Sequence, residues 1–341
     1  MVGGESRDIG IRMTFGARQS VYGLRDIGEP MFISKLRLRS GALSIVFASC
    51  LVLICVWTSA WLGRSSSASP GPKAKPLHLL VYVSPEKSFG VTSTLIYGNS
   101  EAILIDTQLH TSQAAKLADR IEATGTALKA IFITHPDVDH YVGSAVLHQR
   151  FPNVPIYMTA KALARFKATV DQKLAGVRKY FPSETPSSVP TPEALLSAHL
   201  TVDGQSVEIV PDLQGDVLEP ANSFVWIPSV RAVVAGDIVF NGVHVFLADS
   251  NEQSRATWLK SIQRIASLHP LIVVAGHKAN SDLPDNPSAL AFIRHYITDF
   301  DATRKSSSSA GQLVDAMKLK YPQCSSSEFF LKLSASRAFP N

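Results

Sequence analysis

The sequence predicts a mixed α/β (α+β) domain, a four-layer αββα sandwich, preceded by a single transmembrane helix. Three observations lead there. Apolar runs of β character alternate with helical stretches, yet several neighbouring strand runs have no helix between them. That argues against a doubly wound sheet and for two mixed sheets with helices outside. A block of about 265 residues follows a Ser/Pro/Gly-rich linker, long enough for one large domain. Residues 41–62 carry no charge over a length sufficient to cross a bilayer as a helix.

Residues 1–40 hold seven Lys/Arg against four Asp/Glu and read as a basic tail, expected to be disordered. In the span at 41–62, Trp57 and Trp61 sit towards one end, as interfacial aromatics do. A cleaved signal peptide would have a shorter apolar region nearer Met1. The charge bias across the span favours a cytoplasmic N-terminus, with the following domain on the other side. Residues 63–76 form the linker, 77–304 the main domain and 305–341 a C-terminal helical extension.

Within the domain, strand runs are expected at 77–83, 91–98 and 102–107, a helix at 111–124, then a strand at 128–134. A helix–strand–helix run reaches Tyr180 and Phe181, and a Pro/Ser loop spans 182–193. Strands recur at 206–211, 223–228 and 231–237. A helix fits 252–268, a buried strand 271–277, and helices 288–304 and 310–321.

Charged residues are 18% of the chain and hydrophobic ones 45%, which excludes disorder for most of it. The net charge of +5 is mild, and no basic run with interleaved aromatics occurs, so no nucleic-acid partner is expected. The three cysteines are Cys50, Cys55 and Cys324; the first two lie in the apolar span, which rules out a disulfide framework in the domain.

Polar residues stand where apolar strands end. Asp106 ends "AILID", His135 follows "AIFIT", Asp237 ends "AVVAGD" and His277 ends "LIVVAGH". A buried strand ends in such groups at a cost unless they find partners. Any one alone reads as a cap or turn residue. Four together, beside the cluster "THPDVDH" at 134–140, point to a shared pocket. His135 and Asp137 are two apart and face the same way in extended backbone. Asp139 and His140 diverge towards another point, which suits two metals rather than one.

"THPDVDHYVG" resembles the signature loop of the metallo-β-lactamase-fold superfamily, whose usual form is T-H-x-H-x-D-H-x-G. "LIDT" (104–107), "AGDIVF" (235–240) and "VAGHK" (274–278) resemble further motifs of that family in the same order. The resemblance covers roughly residues 77–300 and is nearest to general metal-dependent hydrolases rather than to the clinical β-lactamases. It implies the αββα fold of the metallo-β-lactamase type and two divalent metals, zinc the first choice. His135 and Asp137 would bind the first metal. Asp139, His140 and His277 would bind the second, Asp237 would bridge them, and Asp106 would orient a ligand from behind. The family's third motif carries a His after Gly. Here "LQGDVLEP" puts Asp216 in that slot; His199 is an alternative that sits too early in the chain. Tyr141 and His244 are expected to line the substrate pocket, with His244 equally readable as an ordinary loop histidine.

The departures have an electrostatic consequence. Asp137, Asp139, Asp216 and Asp237 together cancel two divalent ions, so the acidity of a bound water is raised less. One nitrogen with two oxygens at the first site shifts its preference towards manganese or iron(II). Unequal sites are therefore expected, the second of ordinary zinc type. The implied activity is hydrolysis of a small ester-like substrate (lactone, thioester, β-lactam or phosphoester) by a metal-bound hydroxide, with Asp139 or Asp237 holding its proton. Two other readings stand beside it: a mononuclear-iron thiol or persulfide dioxygenase on the same fold, and a non-catalytic membrane-tethered member.

Overall fold

The computed structural model describes residues 75–324 and 327–340. The chain divides into Met1–Pro72 and Lys73–Asn341. The expected tail and membrane span, and most of the linker, lie outside the described residues. Among the described residues no helix is long and apolar enough to cross a membrane.

Two larger sheets build the domain. The first runs in the order β1 (His78–Val83), β2 (Thr92–Tyr97), β3 (Glu101–Ile105), β4 (Ala127–Phe132), β5 (Ile156–Met158) and β6 (Glu193–Ala194). Its first two pairings are antiparallel, and β3 to β6 are parallel. The second sheet combines β7 (His199–Val202), β8 (Gln205–Leu213), β9 (Asn222–Ile227), β10 (Ala232–Val234) and β12 (Ile272–Val274), in the order β12-β10-β9-β8-β7. Here only β10 and β12 are parallel neighbours. A short parallel pair, β11 (Phe240–Asn241) with β13 (His277–Lys278), completes the strands.

The helices are α1 (Thr111–Ala123), α2 (Val138–Tyr141), α3 (Ser144–Arg150), α4 (Ala160–Tyr180), α5 (Glu252–Ser267), α6 (Ser288–Ser306), α7 (Ala310–Lys320) and α8 (Glu328–Ala338). Side-chain alternation along the strands explains how they are layered. On β3, Ala102 and Leu104 pack with Leu117 and Ile121 of α1 and Phe166 of α4. Ile103 and Ile105 point the other way, into a core shared with Val207, Ile209, Val225 and Val274 of the second sheet. The second sheet's other face, through Phe224, Val233 and Val273, meets Trp258 and Ile262 of α5, Ile293 and Phe300 of α6, and Leu313 of α7. The order is thus helices, sheet, sheet, helices.

Two expected strands end early. The run at 231–237 stops at Val234 because Gly236 adopts φ +50°, open to glycine at little cost. The run at 271–277 stops at Val274, and the Gly276 amide then donates to the Gly236 and Val239 carbonyls before β13 begins. Among the described residues, the expected extension at 305–341 takes in the last residues of α6 and the helices α7 and α8, whose Met317, Phe330 and Leu331 belong to the same core as the second sheet. Helix α3 begins at Ser144, with the single turn of α2 ahead of it.

Parallel neighbours bring their C-terminal ends to one edge. Asp106 and His135 follow β3 and β4, and Asp237 and His277 follow β10 and β12. The sheets are tied there: Ser223 donates through N and Oγ to the Thr134 carbonyl, at 3.1 and 2.6 Å. Thr92 Oγ1 donates to the Ala275 carbonyl at 2.6 Å. Trp258 is fully buried and donates through Nε1 to the Ile238 carbonyl at 2.9 Å, which braces the turn carrying Asp237. Trp258→Ala should lose about 3–5 kcal/mol of stability in a urea melt of the full chain. A loss under about 1 kcal/mol would show that α5 does not brace this turn.

Candidate metal centre

The residues at this edge form three groups of potential ligands, the atoms of each lying within 4.8 Å of one another: His135, Asp137 and Asp216; Asp139, His140 and His277; and His135, His140 and Asp237. All seven expected ligands are therefore brought together. His199 is not among them; it starts β7 on the far edge strand of the second sheet.

Each imidazole is held from behind by its Nδ1. His277 Nδ1 donates to the Phe89 carbonyl at 2.8 Å, since a carbonyl only accepts. His140 Nδ1 lies 2.9 Å from Asp106 Oδ2, and as the carboxylate's partner it carries the proton. The Thr134 hydroxyl donates its single proton to Asp106 Oδ2 at 2.8 Å and so receives the one from His135 Nδ1, 2.9 Å away. Asp106 is thus the shared anchor, and its other oxygen accepts from the Thr134 amide at 2.8 Å. It adopts φ +59°, a region Asp enters more readily than most residues. Phe240 stacks on the His277 ring at 5.0 Å, and Phe330 of α8 meets it edge-on at 5.4 Å.

With Nδ1 engaged, each Nε2 faces the centre. His140 Nε2 lies 3.1 Å from Asp237 Oδ1, and both atoms are buried without a hydrogen bond. His135 Nε2 is likewise buried and unpaired, 3.7 Å from Asp237 Oδ2. His277 Nε2 stands 3.1 Å from Asp237 Oδ2 and 3.3 Å from Asp139 Oδ2, and His140 Nε2 is 3.7 Å from Asp139 Oδ2. Four ligands at about 2.1 Å in a tetrahedron stand roughly 3.4 Å apart. The second group sits near that spacing. The first is looser, with His135 Nε2 3.9 Å from Asp137 Oδ2 and 4.0 Å from Asp216 Oδ1. Buried polar atoms that approach this closely without bonding fit a shared cation.

Asp216 sits in the β8–β9 loop, where Asn222 Nδ2 donates to its Oδ1 at 3.3 Å and Gln214 Nε2 donates to the Val217 carbonyl. Burial, then Asp237, Asp137 and Asp139, hold its carboxyl well above the ordinary range. Burial would raise Asp237 too, but His277, His140 and His135 hold it well below. For His277 burial works downwards, yet Asp237 and Asp139 raise it to about 10. Burial and the neighbouring His140 lower His135, leaving it neutral.

The two expected pocket residues, Tyr141 and His244, are both buried. Tyr141 is buried against Phe166 at 4.9 Å, in the core between the first sheet and its helices. His244 bonds through Nδ1 to the Tyr296 hydroxyl at 2.9 Å, and burial pushes it down to about 4. Burial and then the Asp137 and Asp139 charges raise the Tyr141 hydroxyl, so it stays within electrostatic reach of the site, whereas His244 is turned into the core beside Tyr296. Two contributors went unanticipated. The Phe89 carbonyl has no side-chain signal. Lys173 of α4 donates to Asp137 Oδ1 and, at 2.7 Å, to the Pro136 carbonyl. Burial would raise Asp137, but Lys173 and His135 bring it down to about 2.

The sequence profile of the Metallo-beta-lactamase superfamily matches residues 88–277, more than half of the chain. The chain belongs to the metallo-β-lactamase superfamily. Its members are generally metal-dependent hydrolases, and the His/Asp clusters here suit divalent ions. Among solved structures, the chain is similar to a metallo-β-lactamase family protein from Thermus thermophilus, at 20% identity and a TM-score of 0.54, covering 77% of this chain and 91% of that one. It also matches a metallo-β-lactamase from Pontibacter korlensis at 17% identity and a TM-score of 0.45, over 65% and 94% of the two chains. The chain matches no curated protein significantly.

Ligand imidazoles must be neutral at Nε2, whereas His277 without metal keeps its proton up to about pH 10. Metal uptake by this superfamily domain should therefore release protons at pH 7–8, and apparent affinity should rise with pH until about 10. Calorimetric titration with zinc in buffers of different ionisation enthalpy reads the proton count. A pH-independent affinity with no proton release would contradict the arrangement.

Proposed function

We propose that the chain is a metal-dependent hydrolase acting on a small ester-like substrate: a lactone, thioester, β-lactam or phosphoester. The observation that carries the reading is the set of buried, unbonded donor atoms, His135 Nε2, His140 Nε2 and Asp237 Oδ1, facing one point from two chain segments. His135, Asp137 and Asp216 would hold one divalent ion and Asp139, His140 and His277 the other, with Asp237 between them. When bound, these ions supply Lewis acidity and lower the pKa of a water.

The chain's own residues do the rest. Asp106 and the Phe89 carbonyl keep the His140 and His277 rings in the tautomer that leaves Nε2 open. Asp237 is nearly enclosed and would stand as a fixed anion between the two ions. Asp139 keeps 15% of its side chain exposed and is held ionised by His140 and His277 against the effect of burial. It is the carboxylate placed to take a proton from water at the mouth of the site. Cys324, the one described cysteine, is buried in the helical core, which supports a route without a thiol nucleophile.

Zinc is the first choice of metal, with manganese or iron(II) at the first group. The uncharged length of 41–62 and the charge bias around it support a single-pass anchor with a cytoplasmic N-terminus and the catalytic domain on the other side.

The test is a hydrolysis panel, one compound of each class, run with zinc, manganese and iron(II) and with Asp139→Ala as the blank. The reading expects metal-dependent turnover of at least one compound, lost by at least about 100-fold in the variant. Turnover that survives both chelation and Asp139→Ala would overturn it.

A further inference from the structure

Lys173 is the one Lys or Arg that touches a member of the ligand groups among the described residues. It rises from α4, and its ammonium is fixed at two points of the signature loop: the Asp137 carboxylate and, at 2.7 Å, the Pro136 carbonyl. The lysine takes Asp137 Oδ1, while Oδ2 is the oxygen turned towards His135. The same helix flanks the other oxygen ligand of this group. Lys161 pairs with Asp212 at 3.2 Å and Arg165 with Glu219 at 2.6 Å, on either side of Asp216 in sequence. Those two pairs are largely exposed and contribute little energy. The Lys173 pair is more enclosed, with 22% and 17% of the two side chains exposed.

The charges of the two groups therefore differ. Asp139 and Asp237 both approach the His277 ring, at 3.3 and 3.1 Å, and among the described residues neither is paired with a Lys or Arg. In the other group the Asp137 charge is already balanced. An aspartate with a lysine on its outer oxygen has the net charge of a neutral imidazole. A divalent ion beside Asp137 Oδ2 also lies one carboxylate away from an ammonium and is repelled by it.

We propose that Lys173 is a charge-setting residue of the first metal group: it occupies Asp137 as a built-in cation, so the protein fills the Asp139–His140–His277 group first and binds a second ion weakly. The inference rests on the metal-centre reading above. It corrects the charge count drawn from the sequence, in which Asp137 stands as a free carboxylate.

The test is zinc binding to the full chain, by equilibrium competition with a chromophoric chelator, for wild type, Lys173→Met, Lys173→Arg and Asp139→Ala. Circular dichroism and thermal melts confirm that each variant folds. Wild type should bind one zinc tightly and a second more weakly. Lys173→Met should tighten the weaker ion by roughly tenfold or more and leave the tight one unchanged. Lys173→Arg keeps the charge and should behave as wild type. Asp139→Ala should lose the tight ion. Equal affinity for two ions in wild type would overturn the proposal, as would an unchanged or weakened second ion in Lys173→Met. Absence of zinc binding in wild type, or a tight ion that survives Asp139→Ala, would instead overturn the metal-centre reading and this inference with it.

Discussion

Asp237 is a carboxylate with 2% of its surface exposed, and three imidazoles stand within 3.7 Å of it. An ionised carboxylate in such a place is costly unless positive charge sits beside it. In the metal-free chain that charge comes from protons on the histidines, which is why His140 and His277 are raised. A divalent ion would supply the same charge and free the protons. Much of the surrounding architecture serves this one constraint. The parallel pairs β3–β4 and β10–β12 deliver Asp106, His135, Asp237 and His277 to one edge, and Trp258 braces the turn that presents Asp237. Gly276 has no side chain because one there would strike Asp237 and the Gly236 backbone.

Asp106 is the second pillar. It joins the Thr134 amide, the Thr134 hydroxyl and His140 Nδ1 in one buried network. Its carboxylate sets the His140 tautomer directly and that of His135 through the threonine. A single residue behind the ligands thus points two Nε2 atoms at the centre, which is what an outer carboxylate contributes in metal sites generally.

Much of this was legible from strand endings. Apolar β runs that close on Asp or His are conspicuous, and two sheets with such endings on parallel strands bring them to one edge. Asp216 was legible from its place after a glycine in the third motif, although a loop alone could not say that Asn222 would hold its carboxylate and Gln214 the loop around it. Tyr141 and His244 show the limit. Tyr141 packs its ring on Phe166 while its hydroxyl feels the Asp137 and Asp139 charges, and the loop after Asp237 carries His244 to Tyr296. Lys173 shows the opposite failure. It is one of several cations along α4, and nothing in its own stretch tells which of them reaches Asp137, 36 positions earlier in the chain. That contact sets one positive charge against the one Asp137 brings.

The central claim is that the residues converging on Asp237 form a divalent-metal centre, with the group around His277 the stronger half. Zinc-edge anomalous diffraction from crystals of the full chain grown with zinc addresses it most directly. The account predicts a strong peak enclosed by Asp139, His140, His277 and Asp237, and a weaker one between His135, Asp137 and Asp216. No peak at either place, or a single peak in the His135 group alone, would contradict it.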